Sequence, residues 1–107
     1  MAENQTLEVD IDQVAAERDK AVVVDVREPG EFVQGHVPGA VLMPMEQMAS
    51  RMAELDRNTP VYVICASGNR SKAMTDLLRA AGFDARSVTG GTQAWINSGR
   101  PVEEGTR

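Results

Sequence analysis

One cysteine, Cys65, lies in the stretch "VYVICASGNRSKA" (residues 61–73), at the end of a run of β-formers and ahead of a helical pattern. A thiolate is a strong nucleophile, and a helix N-terminus or a nearby arginine lowers a cysteine pKa well below its free value of about 8.5. Residues 66–70, Ala-Ser-Gly-Asn-Arg, must join strand to a helix starting near Ser71. So short a link curls tightly, with Gly68 supplying the backbone freedom. The curl turns successive N–H groups inward as an anion-binding nest, to which the helix adds its positive end. Arg70 is placed to grip an oxyanion in a fork, and the Ser67 and Ser71 hydroxyls could bond the same anion. A free cysteine can also be a small buried hydrophobe. Its place at a strand's carboxyl end, where open α/β sheets bind ligands, favours the nucleophile.

The surrounding elements are those of an α/β domain. "AVVVDVR" (21–27) and "VYVICA" (61–66) are apolar without alternation, as in parallel strands buried on both faces. Further strands are expected at "AVLMP" (40–44), "DARSVTG" (84–90) and near "TLEVDI" (6–11). In 45–55, Met45, Met48, Met52 and Leu55 recur at helical spacing. In 71–82, Ala73, Met74, Leu77, Leu78 and Ala81 form a stripe that Gly82 ends. Shorter helices are expected at 11–18, 30–35 and 91–99. This alternation predicts a mainly parallel sheet covered by helices.

The length of 107 residues suits one domain over 1–107, with an ordered core at about 5–102 and frayed ends at 1–4 and 103–107. At 42% hydrophobic and 25% charged residues, a true core can form. A lone cysteine allows no internal disulfide, and with one histidine no Cys/His metal site is expected. The net charge of −5 argues against nucleic-acid binding and obliges an anion site to make its own positive potential. There is no apolar run long enough for a membrane span. The N-terminal "MAENQTLEVD" lacks the basic and apolar parts of a signal peptide, so a cytoplasmic location is expected.

The chain resembles the rhodanese-like family of sulfurtransferase domains over nearly its full length. "VVVDVREPGEFVQGHVPGAVLMP" (22–44) is similar to the family's first signature, "VYVICASGNRSKAM" to its active-site strand, loop and helix, and "GFDARSVTGGTQAWINSGRPV" (82–102) to its closing segment. The resemblance implies a doubly wound three-layer α/β sandwich with a five-stranded, mainly parallel sheet. It also implies a Cys65 persulfide that takes sulfane sulfur from a donor such as thiosulfate or a persulfide and passes it to cyanide or a thiol, with no metal or organic cofactor. In this reading Cys65 is the nucleophile, Ala66, Ser67, Gly68, Asn69, Arg70 and Ser71 form the cradle, and a sulfur-acceptor protein is a possible partner; the oligomeric state is left open. Phosphatase and arsenate-reductase relatives place the arginine six positions after the cysteine; here Arg70 is five after Cys65, and the smaller ring suits sulfur. The loop also lacks an acid to protonate a leaving alcohol. Another reading is a non-catalytic binding or regulatory module, though such domains often lose the cysteine.

Other polar residues are expected to support the site. Asp25 could bond backbone near the loop, Arg27 is expected to pair with Glu31, and His36, in the turn "GHVPGA", is expected to be structural. Phe83, Trp95 and the methionines at 45, 48 and 52 are read as core, and the acidic residues at 28, 31, 54 and 56 as solvated faces.

Overall fold

The computed structural model describes residues 7–106, so the tail expected at 1–4 lies outside the described residues. Five strands, β1 (Glu8–Val9), β2 (Val22–Asp25), β3 (Val41–Leu42), β4 (Val61–Ile64) and β5 (Ala85–Val88), form one sheet in the order β1-β5-β4-β2-β3. Every pairing is parallel. The helices α1 (Ile11–Glu17), α2 (Pro29–Gln34), α3 (Met48–Arg51), α4 (Asn69–Ala80) and α5 (Gly91–Asn97) alternate with them.

The missing alternation in β2 and β4 has a direct cause. Val24 and Val26 with Val61 and Val63 meet Met43, Met48, Leu78 and Phe83 on one face. Val23, Tyr62 and Ile64 meet Val14, Val37, Val88 and Trp95 on the other. Each strand therefore feeds two cores, and both faces must be apolar. Burying each large apolar side chain contributes about 1.5–3 kcal/mol. These opposed layers hold β4 rigidly at the centre of the sheet. After β2 the chain moves outward to β3, and after β4 it moves the opposite way to β5. The reversal opens a crevice beyond the carboxyl ends of β2 and β4, the usual ligand position in such sheets.

Two segments depart from expectation. Residues 45–55 form not one helix but a 3-10 turn (Met45–Gln47), α3 and a second 3-10 turn (Met52–Glu54). The backbone breaks at Gln47 (φ −102°, ψ −6°) and Arg51 (φ −110°, ψ −9°), away from α-helical values. The expected face still turns inward: Met48 is fully buried, and Met45, Met52 and Leu55 pack against the same core. The end expected to fray from 103 is held as far as Gly105. His36 and Glu103 exchange two backbone bonds of 2.9 Å, and the Gly105 N–H donates to Val33 O at 2.8 Å. Among the described residues no helix is long and apolar enough to cross a membrane.

Candidate active site

Cys65 follows β4 directly, at the crevice, and is 1% exposed. The helix after it begins at Asn69, two residues before the expected start, so the curl spans only Ala66, Ser67 and Gly68. Gly68 caps α4 in the left-handed region (φ 115°), where a side chain would be strained. Its N–H donates to Cys65 Sγ at 3.0 Å, and Ser71 Oγ, on the first turn of α4, lies 3.4 Å from the sulfur. Ser67 and Asn69 are exposed. Burial pushes the Cys65 thiol up, but the Ser71 hydroxyl and the amides of Ser71, Gly68 and Ser67 together outweigh it and hold the thiol below its ordinary pKa.

A residue without an expected role stands behind Ser71. Ser87, buried in β5, places its hydroxyl 2.7 Å from that of Ser71, whose oxygen also lies 3.2 Å from Gly68 O. Ser71 has one hydroxyl proton. Beside a thiol it can donate that proton to Gly68 O; beside a thiolate it must turn it toward sulfur, and its oxygen then accepts from Ser87. In that arrangement Ser87 donates to the Ser71 oxygen and leaves the Ser71 proton for sulfur. The readable signal was a serine in β5 between half-buried Arg86 and apolar Val88.

The far wall of the cradle is the start of α5. The Thr92 and Gln93 N–H groups donate to Cys65 O (2.8 Å) and Ala66 O (3.0 Å). Gly91, at φ 60°, passes so close that an added Cβ would fall 2.5 Å from Cys65 O and 2.7 Å from Ala66 O. Only glycine allows this approach. The glycine pair at 90–91 was visible in the sequence; its contact with the cysteine was not.

Two arginine–carboxylate pairs border the crevice, and their partners differ from those expected. Arg27 folds back on Asp25 rather than reaching Glu31: Nε and Nη2 donate to the carboxylate at 2.8–3.2 Å, and Nη2 also donates to Gly35 O at 2.9 Å. Asp25 is fully buried and needs a counter-charge close by, which a residue two positions away supplies. The backbone group that Asp25 accepts from is the Arg27 N–H, at 3.1 Å, not the Cys65 loop. Glu31, on the first turn of α2, instead takes Arg70 in a two-pronged bond, Nη1 to Oε1 at 2.8 Å and Nη2 to Oε2 at 3.0 Å. The Arg70 bonds, opposed in part by burial and helped by the Glu28 N–H, hold the Glu31 carboxyl down to about 2. Glu31 is therefore no free solvated acid. Arg70, expected to grip an oxyanion, grips a carboxylate of the chain.

His36 stands apart from this chemistry. It is fully buried, stacks on Phe32 with 3.6 Å between ring centres, and places Nδ1 2.7 Å from Phe32 O. Its Nε2 lies 3.7 Å from Glu103. Trp95 and Phe83 are core residues, Trp95 also donating its indole N–H to Pro101 O at 2.8 Å.

A parallel sheet with a cysteine cradled at its switch point is a rhodanese-type arrangement. The model of the family described as "Rhodanese-like domain" matches residues 10–98, and the chain belongs to that family. Its fold is similar to a rhodanese-related protein from Thermoplasma volcanium (32% identity over 90% of this chain and 96% of that one, TM-score 0.86). It is also similar to a rhodanese-like domain protein from Staphylococcus aureus (30% identity, 94% and 100% covered, TM-score 0.84). A thiosulfate sulfurtransferase from Pseudomonas aeruginosa matches 98% of the chain at 32% identity and a TM-score of 0.88, but only 21% of that longer protein is covered.

Proposed function

We propose that the protein is a sulfurtransferase that carries sulfane sulfur as a Cys65 persulfide. The observation that carries this reading is the sulfur itself, held 3.0 Å from the Gly68 N–H within a curl of three residues, Ala66, Ser67 and Gly68. The thiolate attacks the outer sulfur of a donor such as thiosulfate. A new S–S bond forms, the bond to the sulfonate group breaks, and its electron pair leaves on sulfite; the charges before and after are equal. The inward N–H groups then favour the anionic outer sulfur. Attack by cyanide or a thiolate on that sulfur returns the Cys65 thiolate. A relative of similar fold named a thiosulfate sulfurtransferase supports the reading. The protein works in the cytoplasm in this scheme, where a lone thiol stays reduced.

Incubation with thiosulfate should add one sulfur atom to the intact mass, and cyanide should release it as thiocyanate. Cys65→Ser should lose both signals. An unshifted mass with both thiosulfate and an organic persulfide, and no thiocyanate, in the absence of reductant, overturns the reading. The pH profile of Cys65 alkylation should have its midpoint below the ~8.5 of a free thiol. Ser87→Ala should move that midpoint upward, because Ser71 then loses the group that orients its proton toward sulfur. An unchanged midpoint would remove Ser87 from the site.

A further inference from the structure

Beside Ala66, the residue after Cys65, runs a groove of ≈ 290 Å³ between α2 and α5, lined by Arg27, Glu31, Gln34 and Gly35 on one side and Gln93 and Ile96 on the other. At ~30 Å³ per water this is room for about ten waters, more than a small tetrahedral ion needs. Its charged lining groups are Arg27 and Glu31, and the rest of the wall is amide, backbone and apolar. Of the two guanidinium groups near it, Arg27 gives Nε and Nη2 to Asp25 and Gly35 O, and Arg70 gives both terminal nitrogens to Glu31. The four charges sum to zero. A dianion entering here must either take Arg70 from Glu31 or lie beside an ionised carboxylate, and like charges brought together at a binding surface are penalised. A reagent without net charge meets no such penalty.

We infer that Glu31 is a specificity-determining residue: through its pair with Arg70 it filters by charge what reaches Cys65, against dianions such as thiosulfate and for organic sulfane-sulfur donors of lower net charge. The naming of donors rests on the sulfurtransferase reading, whereas the filter itself does not. Two measurements keep them apart.

The first compares alkylation of Cys65 by iodoacetate, an anion, and iodoacetamide, its neutral counterpart, on the full chain. Glu31→Gln keeps an oxygen that accepts from the Glu28 N–H, so the start of α2 is preserved. It should raise the iodoacetate-to-iodoacetamide rate ratio about fivefold, and by less at high salt. Arg70→Ala, which leaves the carboxylate without its counter-charge, should lower the ratio. Equal ratios in the wild type and Glu31→Gln overturn the filter. The second measures Cys65 persulfidation by intact mass with thiosulfate, a dianion, and with cysteine persulfide, whose net charge is one unit less negative. Glu31→Gln should raise kcat/KM for thiosulfate relative to cysteine persulfide, and an unchanged relative value also overturns the proposal. If no donor adds sulfur to either protein but the alkylation ratio shifts, the filter stands and the sulfurtransferase reading falls.

Discussion

Asp25–Arg27 and Glu31–Arg70 use the same two functional groups at the same edge of the sheet under opposite conditions. Asp25 is fully buried and its partner is two residues away; Glu31 is about a third exposed and its partner is thirty-nine residues away. A buried pair cannot open cheaply, since each charge would be left without water or partner, whereas a half-exposed pair can exchange its partner for solvent. The first fixes the carboxyl end of β2, and the second ties α2 to α4 across the mouth of the cradle while remaining open to competition. Position alone separates a structural ion pair from an adjustable one.

The difference is measurable. Arg27→Ala should have the largest effect, a loss of about 3–5 kcal/mol in urea unfolding, because it strands a buried carboxylate; a loss under about 1 kcal/mol would mean that the pair is not what holds the edge. Glu31→Gln should cost less than about 1 kcal/mol, and acid should erase even that. The Glu31 carboxyl in the folded protein lies at about 2, below its ordinary value near 4.3. Its contribution is therefore complete above the ordinary value and lost as pH falls toward about 2. The stability gap between wild type and Glu31→Gln should close over that window, and a gap that persists at pH 2 would assign the shift to another group.

Both long Val-rich strands could be read from sequence because two-sided burial demands unbroken apolar runs, and Cys65 could be placed because it ends one of them. The start of α4 was less legible: Ser67, Asn69 and Ser71 are all good capping residues, and the chain settles the choice with Gly68 in the left-handed region. Arg27 has two acidic residues in reach along the sequence, Asp25 and Glu31, and only tertiary burial decides between them. Arg70 and Glu31 come together through sheet topology, which no local pattern encodes. The same holds for Ser87 behind Ser71 and for Gly91 against Cys65. The fold and the place of Cys65 beyond β4 were thus legible from local pattern, while the groups packed around its sulfur were not.

The clamp at Gly91 also bears on synthesis. A ribosome makes Cys65 well before it makes Ser87, Gly91, Thr92 and Gln93, which steady the cradle from behind. A nascent chain that has emerged only through β4 carries the thiol without these supports, and its reactivity is closer to that of free cysteine. The surroundings of the Cys65 sulfur are complete only when the last strand and helix dock.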